Sequence, residues 1–260
     1  MKRIAIALLA SVAAMVSLNQ GASAADLAVK AAPPPAPVPV WTGFYLGGHA
    51  GGAWQSAPNW TVTNPNVGFF PVQGVAEDDK AGFVGGFQGG YNWQFAPNWL
   101  VGAEGDFSWA HLNDNRTSPL FNAAGLVALP NTSVQMAANT QWLASARAKF
   151  GFIGWNTLWY VTGGGAWANT EYTGVTTTSL VPLTQANTSF HTTKSGWVVG
   201  GGAEWMATTN ILLRVEYLYY NFDNATSAGA AFFPATLNGV TYNWDKYHIQ
   251  VARVALSYKF

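Results

Sequence analysis

The stretch NWLVGAEGDFSWA, residues 98–110, decides the fold. Trp99, Val101, Ala103, Phe107 and Trp109 stand at odd positions, and Glu104, Asp106 and Ser108 at even ones. In a strand, alternate side chains point to opposite faces. One face is therefore apolar and aromatic, and the other carries both carboxylates. Half-buried sheets of soluble proteins alternate too, so the surroundings of each face must be decided separately. A soluble barrel turns its charges outward and its Phe and Trp inward. A membrane barrel does the reverse, because Lys or Arg on the lipid face costs roughly 2–4 kcal/mol at mid-bilayer.

The same alternation recurs along the chain. WTGFYLGGHAGGAW (41–54) sets Phe44, Leu46, Ala50 and Trp54 on one face, and KAGFVGGFQGGYNWQF (80–95) sets Phe83, Phe87, Tyr91, Trp93 and Phe95 opposite Gln88, Asn92 and Gln94. NTQWLASARAKFGFI (139–153) opposes Trp142, Phe150 and Phe152 to Arg147 and Lys149. TLWYVTGGGAWAN (157–169) is assigned Trp159, Val161 and Trp167 outward. SGWVVGGGAEWMA (195–207) opposes Trp197, Val199 and Trp205 to Glu204, and NILLRVEYLYYNF (210–222) opposes Leu213, Val215 and Tyr217 to Arg214 and Glu216. The closing VARVALSYKF (251–260) points Val254, Leu256, Tyr258 and Phe260 one way, and Arg253, Ser257 and Lys259 the other. In all of these strands the charges oppose the large apolar residues.

The pattern predicts an all-β chain of about eight antiparallel strands closed into a transmembrane up-and-down barrel. Short turns fall at 96–98, 154–156 and 208–210, and longer polar loops are expected at about 56–79, 112–138, 171–193 and 223–243. Aromatics gather at strand ends, as expected of two interfacial girdles. Trp54, Trp109, Trp142, Trp167, Trp197 and Trp244 are assigned to the loop end. Trp41, Trp93, Trp99, Trp159, Trp205, Tyr258 and Phe260 are assigned to the turn end.

Composition agrees. Only 9% of the 260 residues are charged, where soluble domains carry about a quarter, and 15% are aromatic. The 12 basic and 12 acidic residues balance, so no basic patch invites nucleic acid. No cysteine is present, which removes disulfide and thiolate chemistry. Residues 1–24 read as a secretory signal peptide: Lys2 and Arg3, an apolar run, then Ala22-Ser23-Ala24. Residues 25–40, ending AAPPPAPVPV, read as a Pro-rich periplasmic lead-in. The barrel is expected over 41–260.

The interior of an eight-stranded barrel is just wide enough for side chains to fill. Glu104, Asp106, Arg147, Lys149, Glu204, Arg214, Glu216 and Arg253 are the candidate lumen network. Glu104 and Arg147 are expected to pair across one hairpin. The network is either an ionic plug or the selectivity filter of a pore; the plug is the preferred reading, although a Gly-rich lumen face would leave room for water. His49, His111, His191 and His248 lack metal-ligand spacing, and no nucleophile elbow or phosphate loop appears. Neither catalysis nor a cofactor is expected. The glycine triplets at 163–165 and 200–202 lie mid-strand and suggest close strand packing.

The stretches VPVWTGFYLGGHAGGAW, GFVGGFQGGYNWQF, WLASARAKFGF, LWYVTGGGAW, RVEYLYYNF and ARVALSYKF resemble the small outer-membrane β-barrel proteins of Gram-negative bacteria. That family carries outer-membrane immunogenic and porin-family proteins and is related in architecture to the OmpA-like barrel. The resemblance implies eight strands, antigenic surface loops and an envelope role. It also implies possible passive permeability and, for some relatives, haem binding, although His191 stands alone in the third expected loop. It further implies that the terminal strand, with Val254, Leu256, Tyr258 and Phe260, is read by the outer-membrane assembly machinery. Outer-membrane lipid is the other expected partner. The oligomeric state stays open, since a closed barrel has no free edge that demands a second copy.

Overall fold

Aromatic and β-branched residues fit a pleated, half-buried surface, and every long alternating run of this chain forms a strand. The structure, a computed structural model, describes residues 40–56, 60–63, 72–74, 80–119, 133–178, 184–228, 230–232 and 241–260. The expected signal peptide, and the lead-in up to residue 39, lie outside these described residues. The strands are β1 (Gly43–Gln55), β2 (Trp60–Thr63), β3 (Val72–Gly74), β4 (Lys80–Ala96), β5 (Trp99–Ser118), β6 (Ser133–Gly154) and β7 (Thr157–Thr178). There follow β8 (Thr184–Met206), β9 (Ile211–Phe222), β10 (Ala225–Ala228), β11 (Ala230–Phe232), β12 (Thr241–Trp244) and β13 (Tyr247–Lys259).

Eight of these close a ring. Strands β1, β4, β5, β6, β7, β8, β9 and β13 pair antiparallel in that order, and β13 pairs back onto β1. The seam aligns Tyr45 with Lys259 and Gln55 with Ile249. Closure leaves no strand edge in the ring, the condition a β structure must meet in lipid. Phe44, Phe87, Trp99, Trp159, Val215 and Val254 stand exposed on the outside, and Glu104, Asp106, Arg147, Lys149, Glu204, Arg214, Glu216 and Arg253 point inward and are buried. The strand at 157–169 faces as assigned, with Trp159, Val161 and Trp167 exposed.

Strand takes up part of two of the expected long loops, 112–118 and 133–138 in one and 171–178 and 184–193 in the other. β5 to β8 run for 20, 22, 22 and 23 residues, about twice the 9–11 residues that cross a bilayer. Beyond Trp109, Trp142, Trp167 and Trp197 these strands continue, but their polarity inverts. Leu112, Val134, Met136, Ala138 and Tyr172 now point inward. Outward come three rows across the four strands: Asn113, Asn139, Glu171 and His191; Asn115, Ala137, Thr173 and Ser189; Thr117, Gln135, Val175 and Asn187. In β6 a register shift between Thr140 and Trp142 makes the change, whereas β5, β7 and β8 keep odd positions outward and change only in the residues they place there. Gln141 and Trp142 both lie outside; even positions face out below them and in above them. Such bulges re-aim side chains by inserting one residue. On the opposite side the smaller sheet β10-β12-β2-β3 extends the wall.

The interior is layered. At the turn end Trp41, Tyr45, Leu100, Ile153, Leu158, Tyr160, Met206 and Leu212 pack as a floor. Above the charges, Val84, Leu112, Leu143, Val198, Leu218, Phe222, Tyr247, Ile249 and Val251 form a second apolar layer. Tyr172, Tyr242, Trp244, Val134 and Met136, with Phe190 against them, form a roof. Two assignments are thereby corrected. Trp41 and Trp244 belong to the floor and roof, not to the girdles, with 0% and 2% exposure.

The inward glycines mark close approach of neighbouring strands. A Cβ on Gly86 would run into the Phe107 carbonyl oxygen, and one on Gly164 into that of Ala146. The concave side of a narrow ring crowds neighbouring backbones together, so glycine is required where they touch. On the convex side a Cβ at Gly105 would sit 3.8 Å from its nearest neighbour. Gly86→Leu should therefore abolish the folded, heat-modifiable band on cold SDS gels, while Gly105→Ala retains it. Equal behaviour of the two variants would contradict this account of the glycines.

Candidate functional site in the barrel lumen

Strand parity carries Glu104 and Asp106 inward from β5, Arg147 and Lys149 from β6, Glu204 from β8, Arg214 and Glu216 from β9, and Arg253 from β13. Register brings them to one height: Glu104 lies opposite Arg147, Glu204 opposite Arg214, and Glu216 opposite Arg253. All eight candidates are buried and meet in one connected network. Arg147 Nη2 donates to Glu104 Oε1 at 2.5 Å, and its Nη1 donates to Glu216 Oε1 at 3.0 Å. Asp106 Oδ2 lies 3.2 Å from the same guanidinium. Arg214 bridges Glu104 and Glu204, each at 2.5 Å. Arg253 bridges Asp106 at 2.9 Å and Glu216 at 2.7 Å.

Lys149 makes longer contacts, 3.5 Å to Glu104 and 3.7 Å to Glu204. Two rings hold it. Its Nζ lies 4.9 Å from the Tyr45 ring centre and 4.7 Å from that of Tyr160, within cation–π range. The Tyr45 hydroxyl donates to Glu104 at 2.5 Å, and the Tyr160 hydroxyl to Glu216 at 2.8 Å. Ser145 donates to Asp106. His49 joins the edge of the network, 3.3 Å from Arg253 Nη1, 2.8 Å from Ser108 Oγ and 3.1 Å from Gln88 Oε1.

Four carboxylates thus meet four cations, and the layer is neutral. Neutrality matters because an unpaired ion in such a space costs several kcal/mol. Arginines dominate because a planar fork can bridge two carboxylates at once. Tyr45, Tyr160, Ser145 and His49 escaped the sequence reading, although parity alone puts all four on the charged face.

The turn end is closed by chain as well as by side chains. Trp41 N donates to Gln94 Oε1 at 3.1 Å, and Gln94 N donates to Thr42 Oγ1 at 3.0 Å. Lys259 donates to the Val40 carbonyl, and Phe260 N to the Phe44 carbonyl at 2.9 Å. Lys259 therefore points to the rim while Val254, Leu256, Tyr258 and Phe260 stand on the outer wall. Two grooves of about 1050 and 760 Å³ lie mainly against outward residues such as Phe150, Trp159, Leu213 and Val254. Their lining also takes in Tyr160, Glu216 and Arg253 in the first and His49 and Arg214 in the second. Among the described residues no group of three His, Cys, Asp or Glu is placed to hold a metal.

A closed ring of eight antiparallel strands with an apolar outside and an ionic inside is matched at family level. Residues 6–260 match the family described as outer membrane protein beta-barrel domain. The chain belongs to that family. This outer-membrane barrel is 33% identical to the 31 kDa outer-membrane immunogenic protein of Brucella melitensis, over 97% of this chain and 98% of that one. It is 28% identical to the 25 kDa outer-membrane immunogenic protein of Brucella canis, over 95% of both. Among solved structures, the outer membrane protein OprG of Pseudomonas aeruginosa aligns with a TM-score of 0.39 and 12% identity, over 84% of this chain and 96% of that one.

Removing one partner from a buried ion pair costs roughly 3–5 kcal/mol. Arg147→Ala should lower the unfolding free energy of the barrel in lipid by about that much, read from urea titration. Arg147→Ala with Glu104→Ala should cost clearly less than the sum of the single changes. Additive costs would show that the two groups do not act as a pair.

Proposed function

We propose that this outer-membrane barrel is non-catalytic and does its work from its outside, as a structural element of the envelope that carries surface loops. The observation behind this reading is the neutral ionic layer held between an apolar floor and an apolar second layer. Each bridging guanidinium is engaged by two carboxylates or more, and Trp41 stops the turn end. A solute path would have to break several buried ion pairs at once. The relatives named immunogenic support an exposed, antigenic role for the loops. Lipid is the partner of the outer wall, and the assembly machinery that of the terminal strand.

A narrow channel for ions or small solutes is the competing reading, and a loop-borne ligand such as haem is a third. Neither gains a specific feature: His191 has the half-buried Glu171 at 3.7 Å and no second imidazole in the described contacts. The refolded barrel in planar bilayers should give no defined conductance steps, and liposomes containing it should not take up small sugars. Reproducible single-channel steps would overturn the sealed-lumen reading. Deleting Phe260 removes a side chain that is 72% exposed on the outer wall. It should reduce outer-membrane levels in cells while refolding in detergent proceeds. Unchanged levels in the membrane would refute a role for this residue in assembly.

A further inference from the structure

The outward rows above the girdle of β5–β8 hold one charge, Glu171, among twelve residues. A water-facing surface carries about 25–35% charged residues, or about three to four of twelve. Asparagine, threonine, serine, glutamine and histidine take most of the places. The smaller sheet opposite differs at its base, where Asp223 and Lys246 form an exposed pair at 3.3 Å. The outward residues described on that sheet, Thr226, Thr241 and Asn243, are uncharged as well. The neutral face of β5–β8 runs down through His111, Gln141, Asn169, Thr193 and Ser195 to Trp109, Trp142, Trp167 and Trp197 of the membrane-facing wall.

From this juxtaposition we infer that the outer face of β5–β8 docks the uncharged saccharide part of a glycolipid in the surrounding leaflet. A sugar hydroxyl both donates and accepts hydrogen bonds. Asn, Gln, Ser and Thr do both; Lys only donates and an ionised carboxylate only accepts. A phosphate-rich headgroup would be met by Lys or Arg, and the rows contain neither. A second protein copy would be met by aromatic or large apolar anchors, and the rows offer only Ala137 and Val175. Strands about 4.8 Å apart, with rows about 6.7 Å apart, give a patch about 14 by 13 Å, the size of a short oligosaccharide. The indole rings beneath suit the apolar faces of a sugar and the acyl chains that follow. The inference deepens the reading that the barrel works from its outside, yet it is tested apart from the lumen.

The test uses the full chain in phospholipid nanodiscs, with co-purified glycolipid counted by native mass spectrometry. The probes are lipooligosaccharide bearing its core sugars, lipid A (which keeps the phosphates and acyl chains), and phospholipid alone. Lipooligosaccharide should be retained more strongly than lipid A. Asn113→Ala, Asn115→Ala and Thr173→Ala together should lower its retention roughly tenfold or more, the effect of losing three net hydrogen bonds. The heat-modifiable band should persist, because these side chains point outward. Thr226→Ala with Asn243→Ala, on the opposite sheet, should change nothing. Thr173→Val alone keeps the shape and gives a smaller loss if the triple variant folds poorly. Equal retention of lipid A and lipooligosaccharide, or equal loss in the opposite-sheet variant, would overturn the inference. So would a folded triple variant that retains glycolipid as before.

Discussion

Charge neutrality in a lumen too narrow for bulk water constrains everything else in this barrel. Four carboxylates and four cations occupy a single layer, and each must find its partners within reach of an eight-stranded ring. The register is held accordingly. A slip of one residue would turn a strand inside out, placing Arg147 or Glu216 against lipid and an aromatic among the ions. Apolar wall and ionic layer specify the same pairing from opposite sides, so local pattern and global fold agree. The tyrosines complete the layer by satisfying carboxylate lone pairs and flanking Lys149, the cation with the longest ion-pair contacts.

The four long strands serve two solvents. Below the bulge at Gln141 and Trp142 the wall is apolar outside and ionic inside; above it the wall is polar outside and mainly apolar inside, where the aromatics share the space with a buried Asp114–Arg116 pair. The upper half obeys the pattern of a soluble barrel, and the lower half that of a membrane barrel. The inserted residue lets β6 cross from one to the other without breaking its ladder. The roof of Tyr172, Tyr242 and Trp244 is then an ordinary hydrophobic core raised above the membrane.

The ring, the facing of each strand and the pairing of the first with the last were readable in the sequence. Outward aromatics recur with period two around the ring, and the charges of β5, β6, β8, β9 and β13 at membrane height all face inward, which lipid outside explains. The extensions were not readable by the same rule. Asn113, Asn115 and Thr117 look like loop residues when the search is for outward apolar side chains. Trp41 and Trp244 were misplaced because tryptophan near a strand end fits a girdle and an end cap equally well, and only packing separates the two. The membership of the ionic layer followed from parity. Its wiring did not, because Arg214 and Arg253 bridge strands distant in sequence. Glycine misled by its chemistry: a missing side chain suggests space, whereas on a concave wall it marks the closest approach of two backbones.

One property of the seam bears on the order of events in assembly. Through β9 the lumen has received Glu104, Asp106, Glu204 and Glu216 but only Arg147, Lys149 and Arg214. The fourth cation, Arg253, arrives with β13, the strand that also joins β1. An unclosed sheet therefore carries one surplus negative charge facing its own interior, and joining the two ends discharges it. Electrostatics then gives closure a direction: the half-built cylinder attracts its own last strand, and a completed one has nothing left to attract.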